Sequence, residues 1–485
     1  MAKSRSASPA ASSRSRSSDL SSRTASNVLS DVTKPEVVAS LSTAAQTAES
    51  EVLTPRACLV PRTAPSFERW IPLALLILAI CTRFYRIDHP GGIVFDELHF
   101  GKFTMWQMNR WFYFDIHPPF AKLTLSFLAY LWGYDQSKCD YEPPAGVSRM
   151  YTPECEFWKL RAIVAAFSVG ACILQYPIAR RLGATPAGAA LASALEAFNV
   201  MHNVEGRLVL LNSQLLFWNN ACLLGGLMWF ARVAERATKP MTFKERVAWA
   251  VAVGFLGGNA LSIKHTGLAT PGLIGLEAAL GLFFLTQPLD IIDLLVYVVS
   301  LFFTYALWFG FHFWSMTHSH GTLKQEEEFM TPQFQAMLIG SKTYDPTVTW
   351  TEGFWKTFFT FNARMVAHSA ATTQPHDWGS RPFQWILNQK GVSYWGSTLG
   401  GAEDKASIYL FGNPLECWGI LATMGIFISM ALLAQRTAWY KLGAKPLVDE
   451  FQHYYKAGAP ALCFLLSGWL INLLPYAAIN RTTFA

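Results

Sequence analysis

Charged residues are scarce in this sequence. Asp, Glu, Lys and Arg together make up 15% of its 485 residues, whereas hydrophobic residues make up 52%. Soluble domains usually carry about 25% charged residues, so this composition excludes an ordinary soluble protein of this length. The formal net charge of +6 is also small. We therefore expect no nucleic-acid partner, and the positions of the basic residues carry more information than their total.

Cysteine is sparse as well, with eight residues in the whole chain. Five of them lie in or beside apolar stretches, where a small buried thiol is the ordinary interpretation: Cys81, Cys172, Cys222, Cys417 and Cys463. Cys139 and Cys155 differ because they fall in a polar segment that contains three prolines. If that segment lies in an oxidising lumen, these two residues either form a disulfide or remain free, and the sequence leaves both alternatives open.

The first 65 residues lack aromatic side chains and long apolar runs. They are rich in Ser, Ala and Thr with scattered Arg and Lys, a composition typical of a disordered segment. No apolar region follows Met1, so we expect no cleaved signal peptide and assign targeting to an internal signal anchor. The basic character of this tail places it in the cytosol.

Apolar runs dominate the remainder of the chain and predict an all-α polytopic membrane protein with nine spans. The predicted spans cover residues 70–82, 162–178, 186–200, 208–230, 247–262, 268–286, 291–314, 408–434 and 457–477. The first is shorter than the ~20 residues that cross a bilayer as a helix, so it must recruit flanking residues. The run 120–132 is also too short to cross, and we assign it to the membrane interface.

Basic residues at the span ends orient these helices. Arg180, Arg181 and the basic segment 232–246 fall on the cytosolic side, which places the loop after the first span in the lumen. The predicted domains are a cytosolic tail (1–65), an N-terminal catalytic membrane region (66–315) with a first lumenal loop (88–159), a large lumenal loop (316–407) and a C-terminal membrane region (408–485).

Two motifs in the predicted first lumenal loop concentrate charged and histidine residues. Phe-Asp-Glu-Leu-His-Phe-Gly-Lys occupies residues 95–102, and Phe-Asp-Ile-His-Pro-Pro-Phe-Ala-Lys occupies residues 114–122. Together, at this spacing and directly after a span, they resemble the first lumenal loop of the protein O-mannosyltransferases. Members of that family are membrane enzymes of the GT-C type that move mannose from dolichyl-phosphate mannose to Ser or Thr.

The resemblance continues from about Pro65 to the C-terminus through motifs at residues 160–162, 207–213, 262–268, 329–335, 380–385 and 409–414. Three departures accompany it. Only residues 336–379 lie where the usual eukaryotic members insert a β-trefoil MIR domain, which is too short for a trefoil. Asn212 stands where an acid is common. The chain also stops where the family continues into further spans, so we expect a reduced member or a truncated sequence.

The chemistry implied by the resemblance requires one essential base. A polyprenyl-phosphate sugar has a good leaving group, so an inverting displacement needs a base for the acceptor hydroxyl rather than an acid and base pair. Asp96 comes first in the acidic pair after the first span, and the resemblance assigns it this role. Glu97 and Asp115 are predicted to complete the catalytic group by orienting arginines or the acceptor. The alternative for each is a loop carboxylate that caps a helix or pairs with an arginine.

Cations near the phosphate are the second requirement. Four candidates lie at predicted lumenal span ends, where guanidinium and ammonium groups can bind phosphate: Arg83, Arg161, Arg207 and Lys264. Snorkelling at a helix end is the alternative for each. His117 is a further candidate for substrate binding, although a His before two prolines also fixes the entry to a helix.

A second group of histidines and acids, His318, His320 and residues 326–328, superficially resembles a metal cluster. No fixed helical spacing links these residues, so we expect a solvated loop and no metal site. The resemblance likewise implies no cofactor beyond the donor substrate.

The sequence therefore predicts a mannosyltransferase of the endoplasmic reticulum membrane that uses dolichyl-phosphate mannose and Ser- or Thr-containing acceptor proteins. The family also implies contact with membrane lipids and a homodimer or heterodimer with another member. Three alternatives stay open: a catalytically silent subunit that supports an active partner, a related transferase of polyprenyl-phosphate sugars, and a transporter.

Overall fold

The computed structural model describes residues 66–478 except for the segments 142–148, 322–328, 350–352, 372, 374–375, 397–406 and 435–444. The side chains of residues 430–434, 445–457 and 478 are also outside the description. The predicted disordered tail (1–65) and the acidic residues 326–328 lie outside the described residues.

Helices form most of the described chain. The α-helices are α1 (Ile71–Phe84), α2 (Glu97–Met108), α3 (Phe120–Leu131), α4 (Phe157–Arg181), α5 (Pro186–Phe198), α6 (Val200–Glu205), α7 (Asn212–Ala234), α8 (Phe243–Leu261), α9 (Ala269–Leu280), α10 (Ile291–Ser315), α11 (Pro332–Met337), α12 (Phe354–Ala371), α13 (Pro382–Ile386), α14 (Pro414–Ala434) and α15 (Lys445–Ala478). Short 3-10 helices occupy Ser66–Trp70, Gln136–Lys138, Glu235–Ala237 and His265–Leu268. The strands β1 (Val392–Gly396) and β2 (Ser407–Leu410) form an antiparallel pair.

Three helices in the described residues are long and apolar enough to cross a membrane: Phe157–Arg181, Ile291–Ser315 and Gly458–Ala477. Helix α1 has 14 residues, which agrees with the short first span that the sequence predicts. Helix α3 is likewise a short apolar helix. The helical architecture confirms the predicted all-α class, whereas the count of nine spans stays a prediction.

Three predicted spans have boundaries that differ from those of the helices. The predicted span 186–200 breaks at Asn199, which is extended and caps α6 by accepting the amide of His202 at 3.1 Å. The predicted span 408–434 begins instead with strand β2, and α14 starts only at Pro414. Pairing with β1 supplies the backbone hydrogen bonds that a helix would otherwise make in residues 408–410.

A buried carboxylate shapes the turn after α9. Glu277 is fully buried, and its two oxygens accept the backbone amides of residues 282–285 at 2.7–2.9 Å. Gly281 follows the helix with φ of +62°, a conformation that a side chain would strain. The predicted span 268–286 is therefore wrong at its C-terminal end, because the helix stops at Leu280.

Replacement of Glu277 by Gln should destabilise the fold, because one amide oxygen cannot replace a carboxylate that accepts four amides. We expect a loss of about 2 kcal/mol or more in the free energy of unfolding. Thermal unfolding in detergent, followed by tryptophan fluorescence, measures it. Glu235→Gln makes the same chemical change at an exposed position and should shift the free energy by no more than about 0.5 kcal/mol. Equal shifts for both variants would contradict this role of Glu277.

The first loop is held by a disulfide between Cys139 and Cys155, whose Cα atoms lie 4.9 Å apart. Both half-cystines are buried in the cluster that contains Tyr134 and Tyr141, whose hydroxyl oxygens lie 3.0 Å apart. Of the two alternatives that the sequence left open, the structure adopts the disulfide. A cross-link of this kind is typical of an oxidising compartment.

The core beneath the first loop is aromatic. Phe114 stacks on Phe329 with ring centroids 4.2 Å apart, and Phe309 of α10 meets Phe358 of α12 edge to face at 5.3 Å. Such pairs add to the free energy gained by burying their surface. The first loop, α10 and the segment 316–407 therefore share one packed core.

Candidate active site

The turn between α1 and α2 forms the centre of the site. Phe95 adopts a left-handed conformation with φ of 49°, and the amide of Glu97 donates to the carbonyl of Val94 at 3.0 Å. Asp96 is thereby the N-cap residue of α2. The ring of Phe95 stacks on Tyr394 of β1 with centroids 4.1 Å apart. The hairpin thus packs directly on the residue that precedes Asp96.

A cavity of about 310 Å³ lies beside this turn. It is lined by Ile93, Phe95, Asp96, Leu98, His99, Arg149, Tyr394 and Trp395. His99 and Arg149 are exposed and form a basic rim, whereas Tyr394 and Trp395 form an aromatic wall. A concave site in which polar groups converge is typical of a binding site for a small ligand.

Asp96 is the carboxylate that lines this cavity. Among the described residues, its side chain accepts no hydrogen bond. Burial raises the pKa of Asp96, and the nearby charges of His99 and Lys264 oppose part of that rise. A carboxylate with a raised pKa is a stronger base than an ordinary one. Its position and its pKa therefore both suit removal of a proton from a ligand in the cavity.

Glu97 and Arg161 form a fully buried ion pair. The guanidinium donates to both carboxylate oxygens, at 2.8 and 2.7 Å, and to three carbonyls of the loop before α2 at 2.8, 3.0 and 3.4 Å. Glu97 also accepts the amides of Val94 and Val209, each at 2.9 Å. Both side chains are therefore occupied by protein groups, and their geometry holds the Asp96 turn against α4 and the segment before α7.

Asp115 pairs with Lys122, whose ammonium also donates to the carbonyl of His117 at 2.7 Å. Burial by itself would raise the pKa of Asp115, but the charges of Lys122 and His117 outweigh it and lower the pKa. Asp115 is therefore held as a carboxylate, which makes it a weaker base than Asp96.

His117 stands at the entry to α3, as the sequence pattern predicts. Its ring stacks on Phe100 with centroids 6.4 Å apart, and its carbonyl accepts a hydrogen bond from Lys122. After the two prolines, the amide of Phe120 donates to the carbonyl of Ser262 at 2.9 Å. The turn at His117 thus anchors α3 next to the segment that carries Lys264.

Arg83 and Arg207 both donate to protein carbonyls. Arg83 is fully buried and donates to Ser168 Oγ at 3.2 Å and to the carbonyl of Glu196 at 3.0 Å. Arg207 donates to the carbonyl of Arg86 at 2.9 Å. Neither residue lines the cavity at Asp96, so their predicted role in binding phosphate stays a prediction, and the contacts favour an anchoring role.

Lys264 is the predicted phosphate partner whose charge lowers the pKa of Asp96, against the larger effect of burial. Its ammonium donates to the side-chain oxygen of Asn212. The amide nitrogen of Asn212 donates in turn to Glu205 at 2.6 Å. The position where the sequence departs from the family pattern is therefore in direct contact with Lys264.

Sequence reasoning assigned no individual role to Arg149, Glu205, Tyr394 and Trp395. The Trp and Tyr residues between Trp350 and Trp395 were a signal for the two aromatic residues, but their composition favours packing at the membrane interface over contact with a sugar. Arg149 and Glu205 belong to no recognisable pattern, and only the fold brings them to the site.

No group of three or more His, Cys, Asp and Glu residues able to hold a metal ion occurs among the residues that the structure describes. Of the residues that superficially resemble a metal cluster, His320 packs edge to face on Trp111 with centroids 4.5 Å apart. The carbonyl of His318 accepts the amide of Phe112 at 2.9 Å.

The fold and the cavity define a class: a multi-pass membrane protein of the GT-C type with a carboxylate cavity at the first loop. The structure of the Saccharomyces cerevisiae protein O-mannosyltransferase Pmt1-Pmt2 complex bound to the sugar donor has the same fold. It matches with a TM-score of 0.70 at 16% identity, over 90% of this chain and 84% of that chain.

The family model of dolichyl-phosphate-mannose-protein mannosyltransferases matches residues 73–317. The model of the C-terminal four-helix membrane region of protein O-mannosyltransferases matches residues 354–485. The chain belongs to the protein O-mannosyltransferase family, which confirms the resemblance that its motifs indicate.

Two curated relatives show how much of the family the chain spans. It is 30% identical over 310 residues to dolichyl-phosphate-mannose–protein mannosyltransferase 4 of Saccharomyces cerevisiae, covering 61% of this chain and 38% of the relative. It is 27% identical over 372 residues to protein O-mannosyl-transferase 2 of Danio rerio, covering 73% and 45%. The chain therefore spans less than half the length of these relatives.

Proposed function

We propose that this chain transfers mannose from dolichyl-phosphate mannose to Ser or Thr hydroxyls of proteins in the lumen of the endoplasmic reticulum. The observation that carries the proposal is the cavity lined by Asp96, a carboxyl whose pKa is raised by burial and lowered in part by the charge of Lys264. Membership of the family supports the same reaction. The donor in the yeast complex and the names of the curated relatives agree with it.

The proposed reaction is one displacement with inversion. Asp96 removes the proton of the acceptor hydroxyl, whose oxygen forms a bond to the anomeric carbon of the sugar. The bond from that carbon to the phosphate oxygen breaks, and the electron pair leaves with dolichyl phosphate. The departing phosphate carries its charge without a proton, so a fixed cation is needed rather than an acid. We assign this role to Lys264.

The remaining predicted site residues receive supporting roles. Glu97 with Arg161 holds the Asp96 turn, and Asp115 with Lys122 holds the start of α3. We retain Asp115 and His117 as groups near the acceptor, because the charge of Asp115 acts on the pKa of Asp96 and the amide of Phe120, just after their segment, donates to the carbonyl of Ser262. Arg83 and Arg207 serve as anchors of the α1 end.

The proposed topology places the N-terminus in the cytosol and the Asp96 cavity in the lumen. The disulfide between Cys139 and Cys155 supports a lumenal first loop. The domain limits then follow the sequence prediction: a tail (1–65), a catalytic membrane region (66–315), a lumenal segment (316–407) and a C-terminal membrane region (408–485).

We further propose that the protein works as a dimer with itself or with a related chain, embedded among lipids of the endoplasmic reticulum. The yeast relative of the same fold is a complex of two different chains. This proposal requires no cofactor other than the lipid-linked donor.

Transfer of radiolabelled mannose from dolichyl-phosphate mannose to a Ser/Thr-rich peptide by the purified chain tests the proposal. We expect a mannosylated peptide whose anomeric configuration is opposite to that of the donor. If the chain alone transfers no mannose but is active with a related full-length partner, the assay is repeated with Asp96→Asn in this chain. An unchanged rate in that assay would identify a supporting subunit and refute the transfer proposal.

A further inference from the structure

Four side chains from separate segments form one hydrogen-bonded chain beside the cavity. The ammonium of Lys264 donates to Asn212 Oδ1, and Asn212 Nδ2 donates to Glu205 Oε1 at 2.6 Å. The hydroxyl of Tyr394 donates to the same Glu205 oxygen at 3.0 Å. These residues lie before the 3-10 helix His265–Leu268, at the start of α7, at the end of α6 and in β1.

The chemistry of the two ends determines the orientation of the amide between them. An ammonium group only donates hydrogen bonds, and a carboxylate only accepts them. Asn212 must therefore present its oxygen to Lys264 and its nitrogen to Glu205. By accepting from the amide nitrogen, the carboxylate of Glu205 orients Asn212 so that its oxygen faces the ammonium of Lys264. Glu205 thus acts on Lys264 through Asn212.

The same carboxylate also reaches the wall of the cavity. Tyr394 lines the cavity, and its ring stacks on Phe95, the residue before Asp96. Glu205 therefore joins Tyr394, which lines the cavity with Asp96, to the hydrogen bonds that reach Lys264.

We propose that Glu205 is a positioning residue that holds Lys264, through Asn212, in place for the phosphate of a polyprenyl-phosphate ligand. This inference rests on the proposed function, because it takes Lys264 as the partner of the donor phosphate. Glu205 itself touches neither the sugar nor the phosphate. Its effect on binding passes through the amide of Asn212.

Binding of dolichyl phosphate in detergent micelles, without sugar or acceptor, tests the inference on the purified full chain. Glu205→Ala should weaken binding by about tenfold or more, the cost of losing a charge-assisted hydrogen bond. Glu205→Gln should weaken it less, since its side-chain oxygen still accepts from Asn212. Glu154→Ala removes an exposed glutamate of the first loop and should leave binding unchanged.

Exchange of the charge between the two positions provides a sharper test. Asn212→Asp by itself would place two carboxylates at the 2.6 Å contact with Glu205, and their repulsion should weaken binding. The double variant Asn212→Asp with Glu205→Gln restores one carboxylate, one amide and one hydrogen bond between them. It should bind dolichyl phosphate within about threefold of the parent, and a purely structural role of Glu205 would not produce this pattern.

The outcomes separate this inference from the proposed reaction. A parent that binds dolichyl phosphate but transfers no mannose, either alone or with a related full-length partner, would refute the proposed transfer, while the binding variants would still decide the role of Glu205. A parent that fails to bind dolichyl phosphate would overturn the inference, as would parental affinity in Glu205→Ala. If Glu205→Ala does not fold, the double variant Asn212→Asp with Glu205→Gln provides the test. A folded double variant that does not regain affinity for dolichyl phosphate would overturn the inference.

Discussion

Replacing Asp96 with Asn should lower the rate of mannose transfer by at least about a hundredfold, the scale expected for losing a general base. The amide of Asn is close in size to the carboxylate but cannot accept the proton of the acceptor hydroxyl. Single-turnover transfer of labelled mannose measures the chemical step directly. Binding of dolichyl phosphate should change little, because Lys264 remains in place.

The pH dependence of the parent provides an independent check on Asp96. A general base works only when unprotonated, so transfer should decline as the pH falls through the pKa of Asp96. Burial raises that pKa, so the decline should begin at a higher pH than for an exposed Asp. A profile of kcat/KM against pH measures this limb, and a limb at the position of an ordinary exposed carboxyl would contradict the assignment.

The unfolding temperature of Asp96→Asn should show whether its loss of activity comes from the missing base or from a damaged fold. A carboxyl whose pKa is raised in the folded state is unfavourable there in its charged form, and it destabilises the fold as the pH rises through that pKa. Asp96→Asn removes this cost at neutral pH. The variant should therefore unfold at the same temperature as the parent or at a higher one. Loss of activity together with a lower unfolding temperature would indicate a structural role for Asp96.

Replacing Glu97 with Gln should destabilise the protein by about 3–5 kcal/mol, because it leaves the buried guanidinium of Arg161 without its counter-charge. Both oxygens of Glu97 bind this guanidinium, and each also accepts one backbone amide. The unfolding temperature in detergent measures the effect. Activity should fall as well, since the Asp96 turn loses its anchor.

Two matched variants make the result specific. Glu156→Gln breaks an ion pair of 2.7 Å with Lys159 in which the Glu156 side chain is 42% exposed, and it should cost no more than about 1 kcal/mol. Arg161→Lys keeps the charge but loses the two-pronged contact, so it should fall between the parent and Glu97→Gln. A Glu97→Gln protein that keeps its unfolding temperature but loses transfer would place Glu97 in the reaction itself.

The sequence alone determined the class of fold, the family and the position of the candidate base. Low charge and repeated apolar runs indicate helices that bury their backbone hydrogen bonds in a membrane. The described residues are mostly helical, and three of their helices are long and apolar enough to cross a membrane. The motifs at residues 95–102 and 114–122 each lie within a short stretch of chain. Local features of this kind are visible without the fold, which is why Asp96 was found from sequence.

Several boundaries escaped prediction because they depend on contacts outside the local pattern. Residues 408–410 are apolar enough to begin a span, but their pairing with β1 makes them a strand. Helix α9 stops early because the carboxylate of Glu277 accepts hydrogen bonds from the backbone amides of the turn that follows the helix. An apolar run indicates that a segment is buried, but it does not determine which partners its backbone amides and carbonyls will bind.

The roles of the charged residues were decided by the tertiary structure. Glu97 and Arg161 are 64 residues apart, and Glu205 and Tyr394 are 189 residues apart, so no local pattern links them. Their contacts arise only when α2 packs near α4 and the hairpin packs on α6. The cost of burying a charge is then met by whichever opposite charge the packing brings within reach. Residue type indicates that Asp96, Glu97 and Asp115 can all act as bases, but only packing leaves Asp96 at the cavity and gives the other two a cation.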